Sequence, residues 1–159
     1  MNNVAKTLLY GYPSYGNIIE GLQISAKYKA IKSFGTYKKT LDVYYEIMKL
    51  NDLIHRIGGL KLFIEELLEQ FTPYEVTIIK ACYFNQKAGV ELIGSPRKQM
   101  RDKLKVEKKF VNILLKEGFD LEYFKNNYFD IYFIKHKYNK IVKDSLSAKK
   151  LDQRRLQAA

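Results

Sequence analysis

Six of the seven basic side chains between residues 97 and 109 have the types and the spacing to bind an anion, and the seventh, Lys103, falls among the apolar helix positions. They follow one another at intervals of one to four residues: Arg97, Lys98, Arg101, Lys105, Lys108 and Lys109. At about 100° per helical residue they lie, together with Lys116, within an arc of about 120°. Guanidinium and ammonium groups bind phosphate oxygens through charge and hydrogen bonds, so this pattern favours a nucleic-acid backbone as the ligand.

A helix with its own start and stop signals positions these cations. Ser95 is suited to cap the first turn, and Pro96 is suited to the first helical position. Gly118 can adopt the left-handed conformation that ends many helices. Apolar side chains occupy most of the remaining wheel: Met100, Leu104, Val106, Phe110, Val111, Ile113 and Leu114. We therefore expect one face of this helix to be buried in a core and the basic face to be open to solvent.

Other partners for a basic helix remain open at this point. A solvated, lysine-rich surface without any ligand accounts for many such faces, and an acidic protein surface or an anionic membrane attracts the same charges. Seven cations on one arc repel each other, so a purely structural helix gains nothing from the arrangement. A membrane partner is disfavoured because the flanking helices are expected to cover the apolar side.

The composition of the chain supports a globular, cytoplasmic protein. Its net charge of +11 is uneven, with a balance of +2 over residues 1–70 and +9 over residues 71–159. The second part is therefore where a polyanion is attracted. The apolar runs are shorter than a membrane span needs, the N-terminal residues lack the apolar core of a signal peptide, and the single Cys82 fits a reducing compartment.

Residues for catalysis or cofactor binding do not form a recognisable constellation. The sequence has no glycine-rich phosphate loop of the common kinds. His55 and His136 are far apart in sequence. Asp52 lies one turn before His55 and could be a metal ligand beside it, but two ligands do not make a metal site. Cys82 follows the apolar helix positions that we expect to be buried. We expect no catalytic residues, no metal site and no cofactor, and hence no enzyme.

Glycine, proline and capping residues divide the chain into helices and predict an all-α fold, an irregular bundle of about six or seven helices. Breaks are expected at residues 10–13, 33–36 and 58–59, and a capping box begins a helix at Thr72–Glu75. Asp120 is expected to cap a short helix to about residue 126, followed by a last helix over residues 130–144. We predict a single helical domain over residues 1–144, with a basic part over 71–118, and a frayed or disordered tail over 145–159.

Two neighbouring runs resemble region 4 of sigma-70-like factors and related phage and mobile-element transcriptional regulators of low-GC Gram-positive bacteria. They cover about 40 residues: Phe71-Thr72-Pro73-Tyr74-Glu75 through Ile78-Ile79 to Tyr83-Phe84, and Leu92-Ile93-Gly94-Ser95-Pro96-Arg97 with Gln99-Met100-Arg101. In that family a Leu-Pro-x-Glu helix precedes a helix-turn-helix, whose second element follows a Leu-Gly-x-Ser turn. The resemblance implies a degenerate helix-turn-helix, with a shortened first helix in residues 87–93 and with Arg97 and Arg101 facing the major groove.

The sequence therefore predicts a small, non-catalytic regulator that binds nucleic acid, with duplex DNA as the favoured ligand. The resemblance implies that it is a sigma-like transcriptional regulator. The alternative is a helical adaptor whose basic face docks on an acidic protein, such as a component of the transcription machinery.

Overall fold

The computed structural model describes residues 1–34, 40–84 and 94–157, and this part of the chain is helical apart from its turns. Its helices are α1 (Asn3–Ser33), α2 (Thr40–Glu69), α3 (Pro73–Tyr83), α4 (Pro96–Lys116), α5 (Leu121–Tyr128) and α6 (Tyr132–Gln157). The all-α prediction is confirmed, and the six helices of the described residues agree with the predicted six or seven.

The chain forms two compact units. The first consists of Met1–Gly11 together with Phe71–Ala159, and the second of Tyr12–Gln70. One boundary falls inside α1 and the other in the turn between α2 and α3. The single domain predicted over residues 1–144 stays a prediction.

The core of the first unit joins α3 to α4 and α5 to α6. Phe71, just before α3, has its ring centroid 6.2 Å from that of Phe110 in α4. Phe124 in α5 lies 5.7 Å from Tyr138 in α6 by the same measure. The buried side chains of these helices include Ile78, Ile79, Val106, Phe110, Leu114, Phe124 and Ile134. Because α3 and α4 share this core, the orientation of α4 about its own axis is fixed by packing.

The break predicted at residues 10–13 is wrong, because α1 continues through Gly11 and Pro13. Buried Val4, Leu8 and Tyr15 have helical spacing across this stretch. An interior proline removes one backbone hydrogen bond and costs about 3 kcal/mol. Burial of the apolar side chains on both sides of it outweighs that cost. The break predicted at residues 33–36 agrees with the structure where it can be compared, because α1 ends at Ser33. Residues 35–39 lie outside the described residues.

The stop predicted at Gly58-Gly59 is also wrong. α2 runs through both glycines, and buried Ile57, Leu60 and Ile64 flank them at spacings of three and four residues. Local propensity disfavours glycine inside a helix by about 1 kcal/mol per residue, but each large apolar side chain that is buried contributes about 1.5–3 kcal/mol. The long-range packing therefore decides the outcome.

The capping signals agree with the structure. Thr72 and Glu75 form both halves of the capping box, and Ser95 and Asp120 cap α4 and α5 through their side-chain oxygens. Gly118 follows α4 with a φ of 72°. These signals succeed because each depends only on atoms within a few residues of the cap.

Helix α6 extends to Gln157, whereas the polar composition led us to expect fraying or disorder from residue 145. The sequence contains neither glycine nor proline after Gly118, and the segment is rich in Ala, Leu, Lys, Arg and Gln. These are the residues with the highest intrinsic helix propensity, so nothing local ends the helix.

Alanine at either interior glycine of α2 tests the continuous helix. A Cβ at Gly58 or Gly59 meets no heavy atom within 4 Å, so Gly58→Ala and Gly59→Ala should each raise the free energy of unfolding by about 0.5–1 kcal/mol. Chemical denaturation measures the change. Gly118→Ala is the matched control and should destabilise, because its φ is positive. Destabilisation by all three substitutions would contradict a helix through residues 58–59.

Candidate nucleic-acid interface

Helix α4 has a narrow buried face. Val106, Phe110 and Leu114 follow one another at four-residue spacing, and their exposed fractions are 4%, 0% and 0%. At about 100° per residue these three side chains are centred on one side of the helix. They anchor α4 in the core of the first unit.

The predicted site residues lie on the other side of α4. Five of them are exposed: Arg97, Lys98, Arg101, Lys105 and Lys108. Their arc of about 100° is centred about 170° from the centre of the buried trio. No carboxylate among the described residues forms an ion pair with any of these five, so their charge is uncompensated within that part of the chain.

The two carboxylates within α4 lie outside the arc of the five exposed cations and contact tyrosines of α3. The hydroxyl of Tyr74 donates to Asp102 Oδ2 at 3.0 Å. The hydroxyl of Tyr83 donates to Glu107 Oε1, and Lys103 Nζ lies 3.7 Å from the same oxygen. The acids of α4 therefore hold α4 to α3 and do not neutralise the five exposed cations.

Both tyrosines remain protonated donors over the physiological range. Burial, and then the hydrogen bond to Glu107, raises the pKa of Tyr83 far above its ordinary value of 10.0. Desolvation, and then the bond to Asp102, raises the pKa of Tyr74 as well. A neutral phenol donates a hydrogen bond without adding a charge of its own; Glu107 is in addition paired with Lys103 and, at 3.9 Å, with the N-terminal amine of Met1.

Lys109 differs from the other five predicted site residues. Its Nζ lies 2.7 Å from Glu75 Oε2 in α3 and 4.5 Å from the centre of the Phe71 ring. Partial burial raises the pKa of the Glu75 carboxyl, but hydrogen bonds from Lys109 and Thr72 outweigh this effect and hold the pKa below its ordinary value of 4.5. Lys109 thus fastens α4 to the start of α3, and we assign it a structural role.

An exposed apolar ridge runs beside the basic arc. Met100, Leu104 and Leu115 are 54%, 45% and 49% exposed. The prediction that Met100 and Leu104 lie in the core is therefore wrong, because the neighbouring helices cover only the face that carries Val106, Phe110 and Leu114. α4 presents two surfaces to its surroundings, one basic and one apolar.

The helix-turn-helix cannot be compared with the structure, because its predicted first helix, 87–93, lies outside the described residues.

The histidines do not contribute to the site. His55 and His136 are both exposed, and Asp52 is paired with Arg56 at 3.5 Å. Among the described side chains, those of residues 1–34, 40–84, 94–148 and 150, no three of His, Cys, Asp or Glu come together as metal ligands.

The tyrosines that hold α4 are the residues that sequence reasoning missed. The sequence pattern places Tyr74 and Tyr83 among apolar helix positions, whereas the structure shows that their hydroxyls matter. The helical wheel contained a usable signal, since Asp102 and Glu107 both fall outside the basic arc and flank the apolar face. A carboxylate at the edge of a buried face needs a donor, and a tyrosine on a packed neighbouring helix can supply one.

No protein family, curated protein or solved structure matches the chain. None of the helices in the described ranges combines the length and the apolar content that crossing a bilayer requires. The residues and geometry of α4 are therefore the basis for assigning a function.

The contact between Glu75 and Lys109 predicts a pH-dependent stability. The lowered pKa means that Glu75 stabilises the folded state above the unfolded-state pKa, and that this contribution is lost as the pH falls through the folded-state value. Glu75→Gln should lower the free energy of unfolding by about 0.5–1 kcal/mol at pH 7. The difference from the unmodified protein should shrink below pH 4.5.

Urea denaturation across pH 3–8 measures both quantities. Glu69→Gln is the control, because Glu69 is exposed and outside this contact. A difference that persists unchanged at pH 3 would mean that Glu75 acts through packing and not through its charge.

Proposed function

We propose that this protein is a non-catalytic, cytoplasmic regulator that binds nucleic acid, duplex DNA first, through the exposed basic face of α4. One observation carries the proposal. Five cations over residues 97–108 share one side of a helix that is anchored on its opposite side, and the carboxylates of that helix are bound to α3. Phosphates are the ligand that such a surface attracts most strongly, since each contact also releases a condensed counterion.

The dimensions of α4 suit the major groove. A helix of 21 residues is about 30 Å long, and a B-DNA major groove about 12 Å wide admits one helix. Arg97 and Arg101 stand one turn apart at the start of α4, where recognition helices contact base edges. We assign these two arginines to base-edge or phosphate contacts, and Lys98, Lys105 and Lys108 to phosphates.

The regulatory part of the proposal rests on the resemblance to region 4 of sigma-like factors. The residues that correspond to groove-facing positions there, Arg97 and Arg101, are exposed in this chain. A transcriptional regulator is the role that combines this resemblance with a DNA-binding helix and the absence of a catalytic motif in the sequence.

A second candidate function is supported by the apolar ridge. Met100, Leu104 and Leu115 flank the basic arc, and a surface that is both apolar and basic fits an acidic protein partner. The two candidates separate in a competition experiment. A DNA-binding surface prefers a duplex to poly-glutamate of equal charge, whereas an adaptor surface binds poly-glutamate at least as well as DNA. If the surface is an adaptor, the double variant Met100→Gln, Leu104→Gln weakens its binding to the acidic partner.

Binding to a mixed-sequence DNA duplex at several salt concentrations tests the proposal directly. Phosphate contacts from five cations predict that the logarithm of the association constant falls with log salt at a slope of about −4.5. The double variant Arg97→Ala, Arg101→Ala should reduce the slope by about 2 and the affinity at 0.1 M salt by about tenfold or more. Fluorescence anisotropy of a labelled duplex measures both.

Lys27→Ala with Lys49→Ala is the charge-matched control. Both lysines are exposed and lie in α1 and α2, so this variant has the same net charge as the arginine variant but an intact α4. Its affinity should stay close to that of the unmodified protein. Equal losses in the two variants would mean that total charge, and not the α4 face, determines binding.

A further inference from the structure

A second cationic site lies between the start of α1 and the middle of α6, within the first unit. A cavity of about 480 Å³ opens there, and its lining includes Lys6, Tyr10, Lys137, Lys140, Asp144 and Ser145. Its volume lies in the range typical of small-molecule sites. Arg97–Lys108 of α4 take no part in the lining, so this cavity is distinct from the proposed DNA-binding face.

The charges that line the cavity are not balanced. Three lysines and one carboxylate leave an excess of two positive charges, and in the described residues none of the three lysines forms an ion pair with Asp144. Lys137 Nζ donates to the backbone carbonyl of Tyr10 at 2.7 Å. Burial lowers the pKa of Lys137, and repulsion from the charged Lys140 lowers it further. An anion in the cavity relieves this repulsion.

The cavity also has an apolar, aromatic wall. The Tyr10 ring is packed edge-on against Tyr83, with the ring centroids 4.9 Å apart, and Ile141 and Ala148 complete the apolar part. Tyr10 is 41% exposed, so part of its ring is open to the cavity. An exposed ring beside three cations suits a ligand that combines a flat aromatic group with a negative charge.

We propose that this cavity binds a mononucleotide, with its phosphate near Lys6, Lys137 and Lys140 and its base against Tyr10. The hydroxyl of Ser145 donates to the Ile141 carbonyl at 2.8 Å and lies 3.5 Å from Asn3 Oδ1, and its oxygen retains lone pairs that can accept from a ribose hydroxyl. The ligand class follows from the pairing of phosphate-binding cations with a stacking surface. The proposal does not depend on DNA binding by α4.

Isothermal titration calorimetry at low salt tests the site with AMP, inorganic phosphate and adenosine as probes. AMP should bind at one site per chain. Phosphate should bind at least about tenfold more weakly because it lacks the base, and adenosine at least about tenfold more weakly because it lacks the charge. Equal binding of phosphate and AMP, or of adenosine and AMP, would overturn the proposal, as would no detectable AMP binding.

Two lysines of α6 provide the matched variants. Lys140→Ala removes a cation of the cavity and should weaken AMP binding about tenfold, whereas Lys143→Ala removes an exposed cation three residues away, outside the lining, and should leave it unchanged. Circular dichroism checks that both remain helical. Equal weakening by both variants would reduce the effect to general attraction and refute a built site. The variant Arg97→Ala, Arg101→Ala retains the cavity, so its AMP affinity separates failure of this site from failure of the proposed function.

Discussion

The hydrogen bonds from Tyr74 and Tyr83 to Asp102 and Glu107 are the interactions on which the character of α4 depends. They hold the two carboxylates of the helix against α3, outside the arc that carries Arg97, Arg101 and the exposed lysines. If these acids lay on the basic face, ion pairs at one-turn spacing would neutralise much of its charge. The phenols donate hydrogen bonds without adding a charge of their own, and Glu107 is also paired with Lys103 and the N-terminal amine. The exposed cations and the carboxylates of α4 therefore occupy different parts of the helix surface.

Core packing and this separation of charges act together. Val106, Phe110 and Leu114 fix the rotation of α4 about its axis, and Lys109 ties it to the start of α3 through Glu75. A helix fixed in this way holds its exposed cations in one arrangement before any ligand binds. Less conformational entropy is then lost on binding, which is the advantage of a preorganised surface. The same packing extends through Tyr83 to Tyr10, so a chain of contacts connects the basic helix to the proposed nucleotide site.

The sequence predicted those features that depend on near neighbours. The capping of α3, α4 and α5 required only side chains and backbone within a turn or two, and it was located correctly. Five of the six predicted site residues are exposed on α4 for the same reason. The breaks at residues 10–13 and 58–59 were wrong because distant apolar contacts outweighed the local cost of proline and glycine. The exposure of Met100 and Leu104 depended on how far other helices extend over α4. The partner of Lys109 depended on where α3 lies. Neither is a local property of the sequence.

Labelling of individual lysine amines, followed by mass spectrometry with and without a DNA duplex, tests the central claim most directly. The account predicts that Lys98, Lys105 and Lys108 react at the rate of solvated amines in the free protein and are protected when DNA is bound. Lys109, which is paired with Glu75, should react slowly in both states. Rapid labelling of Lys109 in the free protein, or no protection of the three exposed lysines by DNA, would contradict a helix whose outward charges are free for a phosphate backbone.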